Sequence, residues 1–235
     1  MKITDTVSKR FLAAIGELQA VRRRELKNKS IVYGSFVPGK VYVVEKGYVR
    51  MVSAEPDGRN ATRAILGRGA ILGDLPFVPT TFKDEEFAVC SGATCVLEFE
   101  RAAIEATTRH DEIFCQILLE IYGAQLQFLD RRLQWQLALP LHRRIAMTLV
   151  DLMCFQGQSC HHGAGYLMDV RMTHEEFSEL VVAARPTVSA ILSAFRDQGL
   201  ISYTRAYLCM KNLTALGHIA ETDSSLYAPR SSPPA

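Results

Sequence analysis

The side chains able to do chemistry in this sequence fall into a few groups. Cys154, Cys160, His161 and His162 stand close together, and two thiolates with one or two imidazoles can hold a tetrahedral zinc ion. Their Cys-x5-Cys-His-His spacing lacks the paired Cys-x2-Cys of strong zinc motifs, and Cys154 ends an apolar helical stretch where a buried thiol packs well, so no metal site is assigned. His174-Glu175-Glu176 has no second histidine at metalloprotease spacing, and no Ser-His-Asp, P-loop or Gly-x-Gly-x-x-Gly context accompanies it, so the chain is not expected to be an enzyme. Arg185-Pro186-Thr187-Val188-Ser189 offers a different chemistry. An arginine at a helix start can fork onto guanine O6 and N7, worth about 1–3 kcal/mol of base discrimination, while short hydroxyls can reach phosphate or a thymine methyl. Arg185, Pro186, Thr187 and Ser189, with Thr173 before them and Arg205 after, form a candidate DNA-contacting set.

These residues need elements to position them. Ile31–Tyr33, Val41–Val44, Tyr48–Val52, Ala64–Leu66 and Thr94–Leu97 are short β-branched or aromatic runs separated by glycine turns, the pattern of a barrel or roll. From Ala102 to Leu139 there is no proline and one glycine, Gly123. His110-Asp111 breaks this stretch into a short helix and a long one, with Asp111 as N-cap and Pro140 as terminator. Ile113, Ile117, Ile121, Ala124 and Phe128 recur at helical spacing on the long helix. That stripe packs either on its own domain or in a two-stranded helix pair of a homodimer, and the pair is the reading adopted. Beyond Pro140 the order is helix, polar loop (156–165), helix, tight turn, helix and hairpin, the outline of a winged helix-turn-helix. Thr173 with Glu176 makes a capping box, Phe177, Leu180 and Val181 share a core with Val188, Ile191 and Leu192, and Pro186 occupies a first turn where its missing N–H costs nothing. The expected division is 1–110, 111–139, 140–220 and a disordered Ser/Pro-rich tail at 221–235.

Hydrophobic residues make up 48% of the 235 and charged residues 22%, which argues against extensive disorder, and a net charge of +2 gives no bulk drive toward nucleic acid. Any DNA surface must come from local arrangement. No apolar run reaches the roughly 18 residues of a membrane span, and Met1 to Leu26 lacks a signal-peptide h-region. The cysteines at 90, 95, 115, 154, 160 and 209 are too scattered for a disulfide framework. A soluble, cytoplasmic protein with reduced thiols and no membrane partner is expected. Arg22-Arg23-Arg24, with Lys27 and Lys29, reads as a solvated helix face, and residues 78–86 as a flap that is either a surface loop or a gate.

The order of parts, an α+β arrangement of β-roll, long helix and C-terminal winged helix-turn-helix, resembles the Crp–Fnr family of bacterial transcription regulators over roughly residues 25–215. Lys46-Gly47-Tyr48-Val49-Arg50, Asp57-Gly58-Arg59, the run from Leu66 to Leu75, Arg144-Ile145-Ala146, Arg185-Pro186-Thr187-Val188-Ser189 and Gly199-Leu200-Ile201 carry the likeness. The resemblance implies a homodimer that binds an inverted-repeat operator in double-stranded DNA, works with RNA polymerase and answers to an effector in the β-roll. Family recognition helices often carry a glutamate and a second arginine where this chain has Pro186 and Ala190, and a serine where Ala184 stands, so its sequence preference is expected to differ.

The resemblance also places an effector pocket at Gly73, Asp74, Leu75, Glu86, Phe87, Leu129 and Asp130. Asp74 could serve a ribose, but Glu86 and Phe87 fall where a cyclic phosphate would be held, and Glu86 would repel it. Leu129 and Asp130 take the positions that would meet a purine. Cyclic AMP is therefore not the expected effector. An iron–sulfur cluster of the Fnr sort needs N-terminal cysteines, and none precedes Cys90. A haem held near His110 and Cys115 stays open, although these two read as a capping histidine and a core thiol. The alternatives are a regulator with no small-molecule effector, or a ligand-binding module whose helix-turn-helix makes protein contacts.

Overall fold

β-Branched runs punctuated by glycine fold as the sequence suggests, into strands joined by tight turns. The computed structural model describes residues 5–18, 22–34, 37–54, 60–79, 86–153, 158–159, 165–168, 170–204 and 208–220. After helix α1 (Asp5–Gly16) come β1 (Arg22–Leu26), β2 (Ile31–Tyr33), β3 (Lys40–Lys46), β4 (Val49–Ala54), β5 (Asn60–Leu66), β6 (Ile71–Gly73), β7 (Glu86–Cys90) and β8 (Thr94–Glu100). They build two antiparallel four-stranded sheets, ordered β1-β8-β3-β6 and β2-β7-β4-β5. Their inner faces enclose a core that includes Val41, Val43, Val49, Met51, Ala64, Ile71, Ala88 and Phe99. Helix α1 closes this core with Phe11 and Ile15, both fully buried. Its Ser8 hydroxyl donates to the Arg68 carbonyl, and a Cβ at Gly69 would lie 2.8 Å from that hydroxyl oxygen.

The basic run at 22–24 is a strand and not a helix face. Arg22, Arg23 and Arg24 form most of β1, paired to β8, and two of the side chains are engaged: Arg23 bonds Glu25 and Glu45, and Arg24 the carbonyls of Ile31 and Val32. Backbone pairing to a free sheet edge overrides what the charge run suggested.

Helix α2 (Arg101–His110) ends at Asp111, whose carboxylate accepts from the Phe114 N–H at 2.9 Å and starts α3 (Glu112–Ala138), 27 residues long. One face of α3, through Phe114, Ile117, Leu118, Ile121 and Phe128, is buried in the β-roll core, and Ala124 packs against it. Gln125 clamps the same face, its amide accepting from the Ile71 N–H and donating to the Ile71 carbonyl. Ile117, Ile121 and Phe128, read from the sequence as the seam of a helix pair, therefore belong to the protomer's own core. Of the expected set, Ile113 stays outside it, 68% exposed. A second stripe lies on another face of α3, where Leu119, Leu126, Leu129, Leu133 and Leu137 are 45–79% exposed.

The C-terminal part contains α4 (Leu141–Met153), β9 (Gln158–Ser159), β10 (Tyr166–Met168), α5 (His174–Val181), α6 (Arg185–Asp197), β11 (Ile201–Tyr203), β12 (Leu208–Met210) and α7 (Leu213–Ala220). The stretch read as a polar loop holds β9 and leads into β10, which completes a wing sheet ordered β11-β12-β10-β9. A second core gathers Ile145, Leu149, Phe177, Leu180, Val188, Leu192, Phe195, Ile201 and Leu216, and Tyr48 and Ile65 of the β-roll belong to it. The two domains thus share apolar burial. Among the described residues no single helix is long and apolar enough to cross a membrane.

Candidate nucleic-acid interface

The reading head begins with the capping box: the Glu176 N–H donates to Thr173 Oγ1 at 3.1 Å and the Thr173 N–H to Glu176 Oε2 at 2.7 Å. Helix α5 ends at Val182, which adopts a left-handed conformation (φ 51°) and turns the chain into α6. Pro186 lies in the first turn of α6. Val188, Leu192 and Phe195 point into the second core, which leaves Arg185, Pro186 and Thr187 exposed at the N-terminal end. Ser189 is half-buried, and its hydroxyl lies 3.0 Å from His174 Nδ1 at the start of α5.

Arg185 and Glu175 form an exposed ion pair at 3.4 Å. Such a surface pair is worth about 0–1 kcal/mol, so the guanidinium can be exchanged onto an anion at little cost. The strand side of the head is tied to the helix by Tyr203, whose hydroxyl lies 3.3 Å from Ser193 Oγ and whose ring carries Arg196 at 5.3 Å. His174 meets the edge of the same ring at 5.2 Å. Burial, with Arg185 nearby, holds the His174 pKa below its ordinary value. Arg205 lies outside the described residues, as do Cys154, Cys160, His161, His162, the hairpin at 57–59, residues 80–85 of the flap and the tail.

Several of the residues assigned to an effector pocket are engaged in contacts of the fold itself. Asp74 is buried, accepting from the Gly39 N–H at 2.9 Å and pairing with Arg101 at 2.7 Å, so it joins the roll to the start of α2. Gly73 takes φ 91° with Lys40 O only 2.6 Å from where a Cβ would stand, and Leu75 packs at the core edge. Glu86 faces the interior, accepting from the Tyr33 hydroxyl at 3.1 Å and pairing with Arg63, while Tyr33 stacks on Tyr42 at 5.3 Å. Burial and the Glu86 carboxylate push the Tyr33 phenol far above its usual pKa. Phe87, one residue on, points to the opposite face of the sheet, because strand side chains alternate. Leu129 and Asp130 are exposed on α3, and Asp130 accepts from Gln134. Gln125 of α3, which the sequence did not single out, reaches the roll with a polar group at Ile71.

His110 and Cys115 flank the Asp111 cap, with His110 exposed and Cys115 beside an apolar groove formed by Phe77, Val78, Leu119 and Tyr122. Cys90, Cys95 and Cys209 are buried thiols, and burial with Glu45 nearby pushes Cys95 up to about 11.

Another set of residues missed by the sequence reading holds α5 in place. Arg50 of β4 is buried and bonds Glu176 at 2.9 Å, Glu179 at 3.0 Å and Thr62 Oγ1 at 3.1 Å. Thr62 itself donates to Glu179 at 2.7 Å. From the long helix, buried Arg132 donates to the Leu180 carbonyl at 2.7 Å, and desolvation lowers its pKa to about 10. The one available signal was an arginine inside the otherwise neutral strand Tyr48–Val52.

A β-roll joined by a long helix to a winged helix-turn-helix defines a class of two-domain regulators, and comparison with known proteins agrees. Residues 23–111 match the cyclic nucleotide-binding domain and residues 143–219 the Crp-like helix-turn-helix domain. The cAMP-activated global transcriptional regulator Vfr of Pseudomonas aeruginosa is 25% identical over 183 residues, covering 77% of this chain and 84% of Vfr. The cyclic AMP receptor protein of Thermus thermophilus is 26% identical over 180 residues, covering 77% of this chain and 79% of its own length. FixK2 from Bradyrhizobium japonicum shares the fold with a TM-score of 0.71 at 20% identity, over 86% of this chain and 98% of FixK2. The chain belongs to the Crp–Fnr family of transcription regulators and carries its helix-turn-helix DNA-binding domain.

Proposed function

We propose that the protein is a cytoplasmic homodimer that binds an inverted-repeat operator through α6 and acts on transcription with RNA polymerase. The observation that carries this is the division of α6: Val188, Leu192 and Phe195 are buried, and Arg185, Pro186 and Thr187 are presented outward. Two such helices one helical turn apart, about 34–36 Å, would enter successive major grooves. The Leu119–Leu137 stripe of α3 supplies the surface that would pair the protomers. The relatives named for cyclic AMP raise that effector for this chain, but the Arg63–Glu86–Tyr33 cluster argues against it. Arg63, the cation nearest Glu86, is already paired with that carboxylate, and the carboxylate would repel a phosphate. This favours a different effector class, or a regulator governed by its abundance.

The test is operator selection from a random duplex library, followed by Arg185→Ala at fixed salt. Loss of a bidentate guanine contact is expected to weaken binding by about 1–3 kcal/mol, or about 5- to 150-fold, and to relax preference at one base position. Unchanged affinity and preference would remove α6 from the interface. Calorimetric titration with cyclic AMP is expected to show no binding.

A further inference from the structure

We propose that His174 sets the hydrogen-bonding sense of Ser189 on the DNA-contacting face, so that operator affinity rises as the solution is acidified. The inference rests on the reading of α6 as the recognition helix. Its basis is a junction of three elements at one imidazole. His174 opens α5, its Nδ1 lies 3.0 Å from Ser189 Oγ on α6, and its ring meets the edge of Tyr203 on β11. Between those elements runs a small cleft lined by Arg171, Met172, Thr173, His174, Tyr203 and Thr204.

The donors and acceptors of the imidazole and the hydroxyl set the polarity of this contact. We take the neutral ring in the tautomer with its hydrogen on Nε2 and Nδ1 bare, so that the serine hydroxyl spends its hydrogen on the imidazole and Ser189 Oγ turns only lone pairs toward the groove. Phosphate oxygens, purine N7 and thymine O4 are all acceptors, so that sense is a poor match to them and suits only the adenine and cytosine amino groups. Protonation places a hydrogen on Nδ1, which donates to Oγ, and the hydroxyl hydrogen is released to donate outward. The ring also gains a positive charge beside a polyanion.

The groups facing His174 set the direction. Arg185 on α6 disfavours the cation, and partial burial does the same, so the free protein carries a neutral ring at neutral pH. Glu175 on its own helix is occupied with Arg185, and Glu176 with Thr173 and Arg50. On the β11 side Tyr203 is neutral and carries Arg196 on its ring, and Arg171 is exposed in the preceding loop. Phosphates arriving on this face add negative charge, so the bound state holds the proton more tightly than the free state. Binding then takes up a proton, and affinity increases as pH falls through the bound-state pKa.

The measurement is duplex affinity from pH 8 to pH 6 for wild type, His174→Asn, Ser189→Ala and the double variant, using a duplex selected by the wild type. The wild type is expected to gain about threefold over this range, and a one-unit rise in the histidine pKa caps the gain at about tenfold at still lower pH. His174→Asn keeps a side chain able to hydrogen-bond Ser189 but does not titrate, and its profile is expected to be flat. The Asn and Ala changes are expected to be non-additive at pH 6. An NMR titration of the imidazole is expected to move upward when the duplex is added. A wild type that binds its duplex with no pH dependence, or a His174→Asn profile as steep as the wild type, overturns the inference and leaves the DNA-binding reading standing. Failure of the wild type to select any duplex sinks both. Unaltered thermal melts of the variants separate these outcomes from misfolding.

Discussion

Val182 is a β-branched residue held at φ 51°, where valine is strained by about 1–3 kcal/mol. It stays there because the turn is fixed from several sides: its N–H donates to Glu179 O, the Ala183 N–H to Ser178 O, and Arg144 reaches the Val182 carbonyl. The side chain is 63% exposed, so little apolar burial stands against a change. Val182→Gly is expected to raise unfolding free energy by about 1 kcal/mol once the added backbone entropy of glycine is deducted, measured by urea denaturation. The end of α5 was legible from Arg185-Pro186 downstream, but the left-handed residue was not, because nothing in a valine announces positive φ. At the end of α6, where Gly199 takes φ 71°, the glycine does announce it. The His174–Ser189 bond was hidden for a related reason. It joins residues 15 apart on two helices whose crossing the sequence does not specify.

The long helix shows what periodicity tells and what it leaves out. Apolar spacing correctly identified α3 and its cap, and it found a genuine stripe in Ile117, Ile121 and Phe128. A second stripe was also present, with Leu119, Leu126 and Leu133 at seven-residue intervals, and periodicity cannot say which of two apolar faces meets the home domain. The β-roll takes the first because Gln125, sitting on that side, satisfies both backbone groups of Ile71. Strand β9 was missed because its stretch is polar and an edge strand paired with β10 does not require apolar residues, and β10 was missed because it is only three residues long. The exposed leucines then carry a prediction. Leu133→Asp places a charge in the middle of the proposed seam and removes no contact from the protomer's own core. The variant is expected to sediment as a folded monomer and to bind an inverted-repeat duplex about 100-fold more weakly, having lost the second half-site. A dimer that survives Leu133→Asp would move the seam elsewhere.

At the scale of the whole molecule, the sheet β2-β7-β4-β5 is a wall with two working faces. Glu86, Ala88, Met51 and Ala64 look into the roll, where Met51 Sδ and Glu86 share the Tyr33 hydroxyl. Tyr48, Arg50, Thr62 and Ile65 look toward the helix-turn-helix, where Arg50 and Thr62 grip Glu176 and Glu179. Arg50 and Met51 are adjacent on β4, so a disturbance in the roll interior is one peptide away from the ion pairs that hold α5. This coupling could not be read from the sequence, because the partners lie 126 and 129 residues apart. Arg50→Ala strands two carboxylates in a largely dry contact and is expected to cost about 3 kcal/mol in denaturant unfolding, near the lower end for breaking a buried pair. Replacing the whole network by Arg50→Met with Glu176→Gln and Glu179→Gln is expected to recover much of that loss, since uncharged groups need no partner cation. If the network also fixes the orientation of α6, the triple variant, although stable, is expected to bind its operator more weakly than the wild type, because freely rotating reading heads match the half-site spacing only part of the time. Equal operator affinity would reduce Arg50 to a stabilising contact and assign orientation to Arg132, which holds the other end of α5 through the Leu180 carbonyl.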